Sequence, residues 1–214
     1  MYDKVVKRVL DMLLALLLLP VTAPFLLIIA LMVKCTSKGP VFYRGQRAGR
    51  NDKPFGIFKF RSMVQDAENL GGGTTALNDA RITKVGGFLR KTKLDEVPQL
   101  FNILLGDMSF IGPRPELLRY TNAYTPEEQI ILTVRPGITD LSSLVFINLD
   151  EVVGGEDADE MYEKFVLNEK NRLRMQYVRE QSFYLDAKIF FKTVAKVFRK
   201  ALGHAIKGRK DGNS

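Results

Sequence analysis

The pattern of apolar and polar positions divides the chain near residue 34. From Met12 to Val33 no residue is charged, whereas charged and polar residues recur throughout the chain beyond it. A run of roughly 22 apolar residues is the length that crosses a ~30 Å hydrocarbon core as a helix. Pro20 and Pro24 sit in its middle. Each removes a backbone donor and crowds the preceding turn, so the pattern predicts a break there. Both flanks are basic, with Lys4, Lys7 and Arg8 before the run and Lys34 and Lys38 after it. Basic flanks mark the cytoplasmic side, so the expected element is a re-entrant helix that enters one leaflet and returns, with a simple membrane-spanning anchor as the plainer alternative. A cleaved signal peptide fits poorly, because the run is too long and no small-residue cleavage site follows it.

Beyond this segment, Val41 to Tyr43 and Phe55 to Phe60 alternate apolar and polar residues around a turn of Gly49, Asn51 and Asp52, which predicts a hairpin. Helical spacing covers Asp79 to Leu89. A second helix starts at Asp95 or Glu96, with Pro98 in its first turn, and ends at Gly106-Asp107. Further helices are expected over Pro126–Leu132, Ala158–Glu180 and Phe183–Leu202. The fold class is therefore α+β and mainly helical. It comprises a re-entrant membrane helix (1–36), a small cytoplasmic catalytic domain (37–203) and a polar, disordered tail (204–214). In the last helix Phe183, Ala187, Phe190, Val194, Val197, Phe198 and Ala201 share one face, flanked by Lys188, Lys192, Lys196, Arg199 and Lys200. Such a helix suits either a core or the surface of an anionic membrane.

At 214 residues the chain holds one catalytic core. Its formal charge of +8 calls for an anionic partner: nucleic acid, anionic lipid or a phosphorylated substrate. Cys35 and His204 are single, which excludes a disulfide framework and a Cys/His zinc site within one chain. Gly71-Gly72-Gly73 reads as a loop; no Gly-Lys-Ser/Thr follows it, so it is not a P-loop. The acidic stretch 150–160 reads as a solvated loop, with a substrate role as the alternative.

The chemistry then rests on carboxylates, hydroxyls and cations. Asp95 and Glu96 are adjacent at an expected helix start, where free N–H groups favour ionised carboxylates. An ionised carboxylate can attack phosphorus, and its neighbour can bind a divalent cation or move a proton. A helix cap followed by a first-turn Glu is the plainer alternative for the pair alone. The surroundings shift the balance. Gly112-Pro113-Arg114-Pro115 is a stiff loop that fixes one guanidinium, and Arg135-Pro136-Gly137 repeats the device. Lys59, Arg61, Arg81 and Arg90 can add to one cationic pocket for phosphate.

The stretches Phe58-Lys59-Phe60-Arg61-Ser62-Met63, Leu94-Asp95-Glu96-Val97-Pro98-Gln99-Leu100-Phe101-Asn102, Gly106 to Pro115 and Val134 to Thr139 closely resemble the bacterial sugar transferases, also called monotopic phosphoglycosyl transferases. The resemblance runs from Lys4 to about Arg199, and the chain looks like the short form without an added N-terminal transmembrane bundle. It implies a Mg²⁺-dependent transfer of a sugar 1-phosphate from a UDP-sugar to undecaprenyl phosphate, with release of UMP, at the cytoplasmic face of the bacterial inner membrane. It also implies that Asp95 is the nucleophile that forms a phosphosugar-enzyme intermediate, with Glu96 as its acidic partner, and that the first step of surface glycan assembly is served. One region departs from the commonest pattern. After Thr139 many members carry a Trp-containing segment rich in Gln, Asn and Gly, whereas here Asp140-Leu141-Ser142-Ser143-Leu144 follows and tryptophan is absent from the chain. The sugar is unassigned, and a homo-oligomer stays open. Two rivals are a catalytically inactive membrane scaffold and a nucleic-acid-binding protein, the latter suggested by Phe55, Phe58 and Phe60 interleaved with cations. The uncharged run of residues 12–33 argues against nucleic acid.

Overall fold

The computed structural model describes residues 2–67, 79–146 and 158–210, and within the last helix the side chains only as far as Arg199. The triglycine and most of the acidic stretch lie outside the described residues.

Helix α1 spans Lys7–Thr36 and includes both prolines. The expected break is therefore not an interruption of helical structure. Each proline already has helical φ and costs one hydrogen bond, whereas unwinding an apolar segment would orphan several backbone groups where no water can satisfy them. The helix is long and apolar enough to cross a membrane, with a mean hydropathy of 2.7. Leu13, Leu16, Leu17, Val21, Phe25, Leu27, Ile28 and Leu31 are exposed along it. The opposite face belongs to the core. Ala15 packs with Phe55, Ile57, Leu100, Ile103 and Met108, and Leu26, Ile29 and Val33 pack with Phe60 and Leu89.

Both ends of α1 are also tied to the rest of the chain by polar contacts. Near its start, Arg8 donates to the carbonyls of Ile103 and Leu104, and Lys7 pairs with Asp186. At its end, Nη2 of Arg61 donates to the Ser37 carbonyl at 2.8 Å and to the Ser37 hydroxyl at 2.7 Å. These bonds satisfy carbonyls beyond the last helical turn.

The expected hairpin is present: β1 (Phe42–Ala48) pairs antiparallel with β2 (Pro54–Phe60), Phe42 opposite Phe60. Asn51 and Asp52 supply the left-handed conformations of its turn, which these two residue types tolerate best after glycine. Phe55 and Phe60 are buried, and Phe58 lies under the Arg44 guanidinium and edge-on to Phe42 and Phe101. The aromatics between cations are thus core and hairpin residues.

Helix α2 (Lys84–Thr92) begins after Thr83, whose hydroxyl accepts the Gly86 N–H at 2.9 Å. A Cβ at position 86 would lie 1.8 Å from the Ser62 carbonyl oxygen, so only glycine lets α2 close on the chain leaving β2. A turn of 3₁₀ helix over Leu94–Glu96 and helix α3 (Gln99–Leu105) come next. The expected single helix starting at Asp95 or Glu96 is split, with the acidic pair on the separate turn. Asn102 of α3 accepts the Phe58 N–H at 2.8 Å and donates to the Gly56 carbonyl at 2.9 Å, locking α3 onto β2.

Two short strands that periodicity does not reveal, β3 (Ser109–Ile111) and β4 (Gly137–Thr139), pair in parallel. Helix α4 is Leu118–Thr121, a 3₁₀ turn covers Glu128–Thr133 close to the expected helix, and α5 is Leu141–Val145. Helix α6 (Ala158–Tyr162) runs through a π turn into α7 (Asn168–Glu180), as expected for this stretch. The last helix, α8 (Phe183–Lys210), extends beyond Leu202 into the segment expected to be a disordered tail. Its buried stripe is Asp186 and Ile189, while Phe183, Tyr184, Phe191, Val194 and Val197 are exposed.

Candidate active site

Three elements converge on one cleft of about 1260 Å³. Strand β2 presents Lys59, and Arg61 follows at its end. The 3₁₀ turn presents Asp95 and Glu96, aimed by Lys93, whose left-handed backbone (φ 59°) ends α2. The loop after β3 presents Arg114. All six line the cleft, together with Arg81 and Arg90.

Glu96 is the hub. Its Oε1 accepts from Lys59 Nζ at 2.9 Å and from Nη2 of Arg114. Arg114 is further fixed by Nη1 donating to the Ile138 carbonyl at 2.9 Å. Burial alone would raise the Glu96 pKa, but the Arg114 guanidinium and the Lys59 ammonium overcome it and hold this carboxyl well below the usual carboxylate range. Burial pushes the Lys59 ammonium down, opposed by Glu96.

Asp95 behaves in the opposite way. It is buried, and its Oδ1 accepts no hydrogen bond. Burial first, and then the charge of Glu96, push its pKa up to about 6. The expected stabilisation of its anion by a helix start is overridden by desolvation, because the pair sits on a 3₁₀ turn covered by the cleft walls. A carboxylate that capped a helix would accept a backbone N–H, so an Oδ1 without a hydrogen-bond partner does not fit the cap reading for that oxygen.

The remaining cations divide. Arg81 forks onto Asp79, with Nη2 to Oδ2 at 2.7 Å, and reaches the Ala67 carbonyl with Nη1. Arg61 lines the cleft but spends Nη2 on the end of α1. Arg135 does not line the cleft; its Nε donates to the Gly106 carbonyl at 2.9 Å. The Arg135-Pro136-Gly137 motif serves the cleft through its backbone. The Gly137 N–H donates to the Pro113 carbonyl and the Gly112 N–H to the Thr139 carbonyl, both at 3.0 Å. A Cβ on Gly137 would come within 2.1 Å of the Gly112 nitrogen. The two Pro/Arg stretches are thus one packed unit that aims Arg114.

The profile of the family described as "Bacterial sugar transferase" matches residues 2–200. The chain belongs to the bacterial sugar transferases. It is 40% identical over 199 residues to a UDP-glucose:undecaprenyl-phosphate glucose-1-phosphate transferase of Klebsiella pneumoniae, covering 92% of this chain and 41% of that protein. It is 35% identical to a UDP-N-acetylgalactosamine-undecaprenyl-phosphate N-acetylgalactosaminephosphotransferase of Aeromonas hydrophila, covering 90% of this chain and 43% of that one. Against the exopolysaccharide production protein PSS of Rhizobium leguminosarum bv. phaseoli it is 35% identical, over 94% of this chain and 99% of the other. The chain therefore spans about two fifths of the first two relatives and nearly the whole of the third.

In this bacterial sugar transferase no group of three or more His, Cys, Asp or Glu side chains gathers to hold a metal among the described residues. The acidic pair still fits a hard cation. Mg²⁺ keeps several waters and takes one or two protein carboxylates plus substrate phosphates, and the unmatched Asp95 Oδ1 is an oxygen such an ion would satisfy.

Sequence reasoning did not single out Glu116, Asp140, Lys170 or Arg174. Glu116 and Lys170 line the far wall with Tyr120 and Tyr162. Burial lowers the pKa of Lys170 to about 8, aided by the neighbouring charge of Arg174. Glu116 directly follows the Pro-Arg-Pro loop, which is a usable signal. Lys170 and Arg174 lie among the many charges of a polar helix and carry none.

Proposed function

We propose that this transferase moves a sugar 1-phosphate from a UDP-sugar to undecaprenyl phosphate and releases UMP, by way of a covalent intermediate on Asp95. The observation that carries the reading is the unmatched Oδ1 of Asp95 in a cleft ringed by Lys59, Arg90 and Arg114. A carboxylate oxygen without a hydrogen-bond partner is the most nucleophilic oxygen there, and the cations offset the charge of a diphosphate.

In the first step an Asp95 oxygen bonds to the phosphorus that carries the sugar. The bond from that phosphorus to the bridging oxygen breaks, and UMP leaves with this oxygen and the electron pair. In the second step an oxygen of undecaprenyl phosphate bonds to the same phosphorus and the Asp95 carboxylate leaves. Arg114 holds non-bridging oxygens of the transferred group in the bidentate manner that suits a guanidinium. Glu96 keeps Lys59 and Arg114 aimed beside Asp95. The Asp95 and Glu96 carboxylates would hold Mg²⁺, which would supply neutralising charge for the diphosphate. No histidine or thiol is needed.

The membrane disposition rests on the ends of α1. Arg8 and Lys7 bind α3 and α8, and Arg61 binds the opposite end. Ties from one domain to both ends of α1 argue against a straight transbilayer span and support placing both ends on the cytoplasmic side of the inner membrane. The exposed apolar residues of α8 lie on the same membrane as an interfacial helix. The product feeds surface glycan assembly.

The test uses purified enzyme in detergent or nanodiscs with UDP-glucose and UDP-N-acetylgalactosamine. UMP release in the absence of lipid acceptor, stoichiometric with a mass increase on a peptide containing Asp95, is expected. Strict dependence of UMP release on undecaprenyl phosphate, with no modified peptide, would overturn the covalent step.

A further inference from the structure

Asp140 directly follows β4, and it is completely buried. Part of its work is local. It caps α5, accepting the Ser143 N–H on Oδ1 at 2.6 Å and the Ser142 hydroxyl at 2.8 Å. A cap needs only a neutral acceptor, and serine or asparagine serves as well. A buried charge asks for a further reason, because its desolvation has to be offset by partners.

Those partners lead to the cleft. Oδ2 of Asp140 accepts the backbone N–H of Arg114 at 3.2 Å and lies 3.9 Å from Nε of Arg174. Arg174 is fully buried, and its Nη2 donates to Oε1 of Glu116 at 2.7 Å. Glu116 is attached to the same loop, just beyond Pro115. Arg174 thus lies against two carboxylates, one bonded to the Arg114 backbone and one covalently next to the loop. Asp140 also closes the strand whose Ile138 carbonyl receives Nη1 of Arg114. The backbone of Arg114 is therefore bonded to Asp140 itself, and its side chain to a carbonyl two residues before Asp140.

We infer that Asp140, held by Arg174, is a positioning residue that fixes Arg114 against Glu96 for phosphate binding. The inference rests on the proposed role of Arg114. It explains why a fully buried arginine on α7 reaches under the loop: it offsets the charge of the carboxylate that orients the loop.

The test is a double-mutant cycle on the full chain, assayed for UMP release with UDP-glucose or UDP-N-acetylgalactosamine, whichever the wild type turns over. Asp140→Asn keeps the cap through its carbonyl but turns an N–H₂ group toward the Arg114 N–H and removes the charge facing Arg174. It should lower kcat at least about tenfold with KM changed less than about twofold, since a misaimed Arg114 weakens transition-state contacts most. In an Arg114→Lys background the same change should cost about twofold or less, because groups acting through one residue are not additive. An unchanged kcat, or equal fold losses in both backgrounds, would overturn the inference. If Asp140→Asn does not fold, Asp140→Ser, also a good cap, runs the same cycle; failure of both to fold assigns Asp140 to stability alone and overturns it too. Full activity of Arg114→Lys by itself would instead refute the role of Arg114, whereas loss there with none in Asp140→Asn refutes only the positioning role.

Discussion

Glu96 and Glu116 are two buried glutamates held in the same style and put to different uses. Glu96 takes Arg114 and Lys59; Glu116 takes Arg174 and the Tyr162 hydroxyl. In both, burial alone would raise the pKa, and neighbouring cations, led by an arginine, bring it below the ordinary value. The difference lies in the neighbours. Beside Glu96 the buried atom without a hydrogen bond is an acceptor, Oδ1 of Asp95, whereas around Glu116 it is a donor, Nε of Arg174, which faces Asp140 at 3.9 Å while Nη1 and Nη2 of Arg174 and the Tyr162 hydroxyl are all bonded. A leftover donor that faces a second carboxylate still suits a scaffold, and a leftover acceptor among cations suits the reactive role proposed for Asp95.

The largest contrast should come from neutralising one carboxylate on each side. Asp95→Asn cannot form an acyl phosphate, so kcat should fall at least about 10³-fold. Its folded-state pKa is raised to about 6, above that of an unfolded aspartate. Ionising Asp95 therefore costs stability, a cost absent in strong acid and complete above about pH 6, and the asparagine variant should melt no lower than wild type at pH 8. Glu116→Gln should do the reverse in a melting experiment. Leaving Arg174 with only the more distant Asp140 to offset its charge costs about 3 kcal/mol, a Tm drop of ~6–12 °C for a chain of this size. Equal melting of the two variants would erase the distinction between scaffold and reactive site.

A smaller contrast separates the two arginines next to prolines. Arg114→Lys should lower kcat by about 10²-fold, the usual loss for one preorganised donor, whereas Arg135→Lys should stay within about twofold, or ~0.4 kcal/mol. A comparable loss in Arg135→Lys would place that guanidinium in contact with substrate after all.

The smallest effect is on the pH profile. Glu96 stays ionised across the working range, so the acid limb of kcat/KM belongs to Asp95. Activity should be halved near pH 6 and fall about tenfold per unit below it. An inflection near pH 4 instead would mean that Asp95 titrates as an ordinary exposed carboxylate.

The legible parts of this molecule are those whose physics is local. The hairpin turn announces itself through Asn51 and Asp52, the acidic pair through adjacency, and the aiming of Arg114 through its two prolines. Asp79 to Leu89 and Phe183 onward have helical spacing and form helices with shifted ends. What stays hidden depends on distant partners. Arg135 resembles Arg114 in sequence, but a Gly137 backbone pressed against Gly112 turns its motif into a support. A helix start favours an ionised Asp95, and burial by residues far along the chain reverses that direction. β3 and β4 are three residues each, too short for any periodicity, and exist because each is the other's partner. Arg174 carries no signal, since a buried arginine and a solvated one look alike until the fold brings Asp140 and Glu116 together.

The tie between Lys7 and Asp186 spans 179 positions, which sets an order of events during synthesis. At about 5–20 residues per second, α1 leaves the ribosome roughly 10–40 s before its distal partner exists. In that interval the Lys7 ammonium lacks its counter-ion, and Ala15, Leu26, Ile29 and Val33 lack the domain they help to fill. In the proposed membrane disposition the bilayer would act as a holding environment, with the headgroups solvating Lys7 and Arg8 while the hydrocarbon shelters the apolar face. A gene lacking the first 36 codons would accordingly yield a polypeptide with gaps in two core clusters, not a soluble enzyme.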